Sequence, residues 1–259
     1  MNDKTELPEV GLCEVPLTCA DLPTAVDWFI ARLRARDMIG PLRFLNAYCF
    51  ALADRDPSYK ALLQGWGYNL PDGKPVAWLA RKKDPTAGHV RGPSFFRQTI
   101  VQGVESGIRH FFFGTQQPTL DRLRTAVQLA APGADIVGME APAFGPAESL
   151  VSDEVVQRIK NANPHVVWVG LGTPKQDHVG QLLSLALEGL PCVSIGAGFN
   201  FLAGVTKEAP LALQNCGLEW AYRLFSEPRR LWSRYTFGNV TFTKSVIVAE
   251  VIGRSCRHR

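Results

Sequence analysis

The sequence predicts an α/β fold: a Rossmann-like, mostly parallel sheet with helices on both faces, plus a C-terminal helical appendage. Three observations carry this. Short apolar runs alternate with longer segments of helical periodicity, and the connections are brief, which is the pattern of βαβ units. The runs FFF (111–113) and VVWV (166–169) are continuously apolar, as strands buried on both faces must be. Beyond Gly204 the character changes, and 208–259 reads as wholly helical.

In chain order, a helix is expected over 21–36, where apolar residues recur at helical spacing, then a strand over 42–46 (LRFLN). A helix over 57–64 opens on a proline, and 66–70 (WGYNL) is the next strand. Helices follow over 74–82 and 94–106, then a strand over 110–113 (HFFF) and a helix over 118–130. The short strand 135–137 precedes 139–148 (MEAPAFGPAE), a loop rich in Pro, Gly and Ala without hydrophobic periodicity. A helix over 152–161, a strand over 165–170, a helix over 174–187 and a strand over 191–195 complete the alternation. Helices over 208–225, 227–237 and 239–252 form the appendage, with Pro210 and Pro228 suited to helix starts. The expected division is 1–207 as the Rossmann-like domain and 208–259 as a basic helical appendage.

Composition narrows the class. Of 259 residues, 46% are hydrophobic and 20% charged, enough for a substantial core. Six scattered cysteines without a CxxC pair favour reduced thiols and a cytosolic setting. Five dispersed histidines form no HExxH or Cys/His cluster, so no metal site and no cofactor are expected. The polar, acidic N-terminus is unlike a signal peptide, and no apolar run approaches the ~18 residues of a membrane span. The net charge of +4 is unevenly placed: 219–259 carries eight Lys/Arg against three Asp/Glu, whereas the preceding residues are nearly neutral. Nucleic acid, anionic lipid or a diphosphate would each suit that excess, as would a solvated tail.

Four strands end in polar, glycine-bearing turns: at Asn46, at Asp72-Gly73, in GLGTPKQD (170–177) and in GAGFN (196–200). In a parallel sheet such turns converge on the carboxyl edge, where ligands bind. Glycines admit a ligand to the backbone, and helix N-termini favour anions. No P-loop, complete GxGxxG or GxSxG is present. Asp54-Arg55-Asp56 spells D-x-D but lies between a helical run and Pro57, which marks a solvated helix end. Asp72, in P-D-G, has two readings: a turn or N-cap residue, and a strand-end carboxylate placed to take a proton from a hydroxyl.

Taken in order, several stretches resemble the WecG/TagA/CpsF family of bacterial glycosyltransferases: FLNA with Asn46, PDG (71–73), RG (91–92), HFFFGTQQP (110–118), PG (132–133), VGLGTPKQD (169–177), GAGFNFLAG (196–204), AP (209–210) and GLEWAYRLFSEPRRLWSRY (217–235). The resemblance runs from about residue 10 to 239. It implies an inverting, metal-independent transfer of a hexose or N-acetylhexosamine from a UDP-sugar to a polyprenyl-diphosphate-linked saccharide, in surface or exopolysaccharide synthesis. Asp72 then corresponds to the catalytic base. Asn46, Gly73, Arg91, Gly92, Gly114, Gly170, Gly172, Pro174, Lys175, Gln176, Gly196, Gly198 and Asn200 correspond to the substrate pocket. Arg223, Arg229, Arg230 and Arg234 would neutralise diphosphate. The implied location is cytoplasmic and peripheral, on the inner membrane face, without nucleic acid; homo-oligomerisation is left open.

This chain departs from the family pattern at Phe44 (usually Thr), Asn200 (usually Asp), Glu208 (usually Arg) and Asp177 (usually Glu). The losses at 44 and 200 bear on the donor sugar. Two other functions compete: a nucleotide-sugar-binding module without catalysis, and an NAD(P)-dependent oxidoreductase suggested by the α/β layout alone. For the basic tail, Trp220, Leu224, Leu231 and Trp232 among the arginines suit a lipid interface better than nucleic acid; packing on the sheet is the plain alternative.

Overall fold

A computed structural model describes residues 6–229, 238 and 241–244. Six parallel strands form one sheet: β3 (Pro41–Leu45), β4 (Tyr68–Pro71), β5 (Arg109–Gly114), β6 (Asp135–Glu140), β7 (Val166–Gly170) and β8 (Cys192–Ser194). Their spatial order is β4-β3-β8-β7-β5-β6. The chain therefore reverses its direction of travel across the sheet beside β3 and again beside β5, and crevices open at such switch points.

Helices cover both faces. On one lie α1 (Leu22–Ala35), α5 (Gly92–Gly103), α6 (Gln117–Ala130) and α9 (Gly198–Leu202), packed on Leu42, Phe112, Trp168 and Val193. On the other, α7 (Asp153–Ala162) and α8 (Lys175–Ala186) cover Phe111, Phe113, Val167 and Val169. Side chains of a strand alternate between faces, so the FFF and VVWV runs feed both layers. Trp168 donates through Nε1 to His110 Nδ1 (3.1 Å), which satisfies the indole in the interior.

A third cluster forms around α2 (Ala47–Ala53), α3 (Pro57–Gln64) and α4 (Lys74–Lys83). An antiparallel hairpin, β1 (Glu9–Leu12) and β2 (Val15–Thr18), closes it with Leu12, Val15 and Leu17. Sequence reasoning did not anticipate this hairpin: its turn uses Cys13 and Glu14 at positive φ (49° and 65°) in place of the usual Asn-Gly. Helix α2 and the five-residue α9 were also not delimited in advance; both are too short for periodicity to register.

The appendage differs from expectation. The single helix expected over 208–225 is two, α10 (Leu211–Cys216) and α11 (Glu219–Ser226). Gly217, at φ 78°, ends α10 with its N–H on Gln214 and Leu213 carbonyls, the left-handed C-cap that glycine favours. Most of 227–237 and 239–252 lies outside the described residues. Residues 238 and 241–244 are helical, and Phe242 (5% exposed) packs on Phe50 at 5.5 Å between ring centroids.

Candidate active site

All six strands of the sheet run in one direction, so their carboxyl ends lie along one edge. A cleft of about 1040 Å³ opens there, lined from all six strand ends and from α4, α9, α10 and α11. Strand register decides which residues meet. Leu45 pairs with Pro71, so Asn46 and Asp72 follow side by side, and Asp72 donates its N–H to the Leu45 carbonyl (2.8 Å).

Asn46 N-caps α2: its Oδ1 accepts from Tyr48 N–H (3.0 Å), which leaves Nδ2 without a partner among the described residues. Asp72 behaves differently. A P-D-G turn ordinarily engages the aspartate in a local cap. Here Gly73, at φ 84°, is the N-cap of α4, and no side chain caps that helix. The Asp72 carboxylate lies in the cleft, about a quarter exposed, with His89 Nε2 3.5 Å from Oδ1. His89 is held by its neighbours: Val90 is fully buried and donates its N–H to Pro71, so residues 89 and 91 flank the end of β4.

Arg91, 6% exposed, forms a bidentate pair with Glu219 of α11 (Nε–Oε2 and Nη2–Oε1, both 2.9 Å) and reaches Glu208 (3.1 Å). Arg97 also contacts Glu208 (2.9 Å). Burial opposes the Arg91 charge, yet Glu219, then Glu208 and Asp72, hold its pKa above the ordinary arginine value. Its guanidinium and that of Arg223 each lie 5.4 Å from the Phe201 ring. Arg91 thus ties the segment after 207 to the sheet. Glu208 is one of its two carboxylate partners.

The β7–α8 and β8–α9 turns are joined by one side chain. Gln176, 4% exposed, accepts from Gly172 N–H (3.1 Å) and Gly196 N–H (2.9 Å) through Oε1. These two amides therefore face a glutamine oxygen, and Gln176 sets the spacing of the turns. The Thr173–Pro174 bond between them is cis. Asp177, directly after, points away from the cleft: it is 2% exposed and accepts from Tyr59 Oη (2.8 Å). Burial raises its pKa, against the Tyr59 hydrogen bond and the nearby charge of buried Arg43.

The glycines sort by surroundings. A Cβ on Gly114 would lie 2.7 Å from Gly170 O, and one on Gly170 would lie 2.4 Å from the Phe199 ring, so protein atoms fill both positions. Gly198 packs on Ile195, and Gly92 on the Phe44 ring. Gly172, at φ 82°, has open space beside it.

Of the residues expected in the site, the cleft gathers Asp72, Asn46, Gly73, Arg91, Gly92, Gly170, Gly172, Lys175, Gln176, Gly196, Asn200 and Arg223. Gly114, Pro174, Gly198 and exposed Arg229 are not on its wall. Arg230 and Arg234 lie outside the described residues. The cleft adds residues not expected in the site: His89, Tyr48, Trp78 and the loop residues Ala141–Phe144; it also takes in Trp220, which the sequence assigned to a lipid interface. His89 carried a legible signal, since it precedes Arg91 by two positions; Tyr48 and Trp78 carried none. Lys175 reaches across to Phe144 (4.9 Å from Nζ to the ring centroid). Trp78, Trp220 and Phe144 are all exposed at the mouth. Asp56 of the D-x-D caps α3, accepting from Ser58 and Tyr59 N–H, and Asp54 and Asp56 lie off the cleft.

Among the described residues no helix is long and apolar enough to cross a membrane. A family model described as "Glycosyl transferase WecG/TagA/CpsF family" matches residues 10–255.

Proposed function

Since the chain belongs to the WecG/TagA/CpsF family of glycosyltransferases, we propose that it moves a hexose or N-acetylhexosamine from a UDP-sugar to a polyprenyl-diphosphate-linked saccharide, inverting the anomeric centre. The observation that carries this reading is Asp72. Its carboxylate is not engaged in the helix cap its turn would ordinarily provide, and it lies in the cleft at the carboxyl edge of the sheet. A general base must reach the hydroxyl it deprotonates, and a partly exposed carboxylate in a concave site meets that need.

On this reading the nucleotide lies over the turns that Gln176 joins, and Lys175 and Arg223 face its diphosphate. The acceptor enters at the mouth between Trp78 and Trp220. Its hydroxyl oxygen attacks the anomeric carbon as Asp72 takes the proton. The bond to the β-phosphate oxygen breaks, and UDP leaves with the electron pair. Asn46 Nδ2, beside Asp72, is free to donate to a sugar hydroxyl. Phe44 forms part of the wall where a hydroxyl would otherwise stand. Exposed aromatics at the rim and the basic C-terminal segment favour work at the cytoplasmic face of a membrane.

The test is UDP release from a panel of UDP-sugars with a synthetic polyprenyl-diphosphate acceptor. Asp72→Asn should cut turnover by roughly 10²–10⁴-fold with UDP affinity unchanged. UDP binding without release by the native protein, across the panel, would make the chain a binding module instead.

A further inference from the structure

We propose that His89 relays the proton away from Asp72 during turnover. This rests on the reading of Asp72 as the base. The base takes one proton per glycosyl transfer and must lose it before the next. An acceptor seated over Asp72 covers the water-facing side of the carboxylate, which is only 24% exposed even in the open cleft. His89 Nε2 stands 3.5 Å from Asp72 Oδ1, and its ring is 28% exposed, so it touches both the base and solvent. Catalytic hydrogen bonds are often this long before substrate binds and shorten in the complex.

The position is built in. Gly88 donates its N–H to Ala20 (2.9 Å) and Val90 donates to Pro71 (2.9 Å), which fixes the backbone on either side of His89. A Cβ at Gly88 would lie 2.7 Å from Asp21 Cα, so the segment fits closely there. Among the described residues, charged groups near the pair include Lys74 at the start of α4, Asp21 packed against Gly88, and Arg91 with its partners Glu219 and Glu208. Arg91 is already neutralised by those carboxylates and has no proton to exchange near neutral pH. His89 differs from Arg91 in that an imidazole can accept a proton at one ring nitrogen and give one up from the other.

The step balances without another reagent. The acceptor hydroxyl gives its proton to Asp72 as the new glycosidic bond forms and UDP departs. Neutral His89, carrying its hydrogen on Nδ1, then accepts that proton at Nε2. The carboxylate is restored, and the imidazolium releases a proton to solvent.

The experiment compares full-length wild type, Asp72→Asn, His89→Gln and His89→Ala in UDP release under saturating donor and acceptor. Glutamine can still donate to Asp72 but cannot carry a proton. The expected results are a fall in kcat of about tenfold in both His89 variants, unchanged KM for donor, and recovery of His89→Ala by added imidazole in proportion to its free base. Wild-type kcat in His89→Gln, or a lowered kcat in His89→Ala that imidazole does not restore, would overturn the relay and leave His89 at most an orienting partner, while an inactive Asp72→Asn would keep the base reading intact. Full turnover in Asp72→Asn would instead overturn the base, and the relay with it.

Discussion

Replacing Arg91 by methionine should weaken the fold before it weakens donor binding. The guanidinium is 6% exposed and satisfies two carboxylates, Glu219 through two 2.9 Å contacts and Glu208 through one at 3.1 Å. Removing one partner of a buried ion pair costs about 3–5 kcal/mol, because the other charge remains without compensation. Glu208 and Glu219 retain about a fifth of their exposure, so water recovers part of that loss. About 2–3 kcal/mol is expected, a fall in Tm of about 5–10 °C for a chain of this size. Glu219→Gln alone should cost less, since Arg91 keeps Glu208. The double variant should be less destabilised than the two single effects added, with a coupling of about 1–2 kcal/mol. Thermal and urea unfolding of the four proteins measure this, with UDP titration on each. Unchanged stability in Arg91→Met, together with a large loss of UDP affinity, would refute the reasoning and make Arg91 a diphosphate ligand whose contacts to Glu208 and Glu219 are incidental.

Gln176→Ala strips the acceptor from Gly172 and Gly196 N–H and should cost about 1–2 kcal/mol, as well as donor affinity; Gln176→Glu keeps the acceptor, so thermal shift should show little loss while UDP titration shows weakened binding from the added negative charge. Burial pushes the His110 pKa down to about 3, whereas an unfolded histidine titrates near ~6.5. The unfolded chain therefore binds the extra proton first, and stability falls as pH drops from about 6.5 toward 3, by about 2 kcal/mol at pH 5; in His110→Gln the difference in unfolding free energy between pH 7 and pH 5 should shrink by that amount. Phe242→Ala opens the cluster around Phe50 and should cost about 3 kcal/mol in urea unfolding, with a null effect showing that this helix does not stabilise the sheet domain.

What the sequence determined by itself was whatever is written in neighbouring residues. The apolar runs at 111–113 and 166–169 specify strands buried on two sides, because every second side chain must find a core whichever face it points to. The glycine-bearing turns locate the carboxyl edge, since parallel strands all end there. The P-D-G turn singled out Asp72, with capping as the favoured local role and chemistry as the other; the structure places Gly73 at the N-cap of α4 without a side-chain cap, so the Asp72 carboxylate does not cap that helix. Tertiary structure alone decided the partnerships between residues distant in the chain. Arg91 reads in sequence as a free cation near a pocket. Folding brings α11 and Glu208 against it and turns it into a tie between two parts of the molecule. Gln176 reads as a side chain offered to a ligand, yet register places Gly172 and Gly196 on its oxygen. His89 lies 17 positions after Asp72 and meets it because Val90 must bury its side chain beside the end of β4. Such contacts depend on strand order and on which face of an element is buried, and these are set by the packing of the whole sheet rather than by any local run of residues.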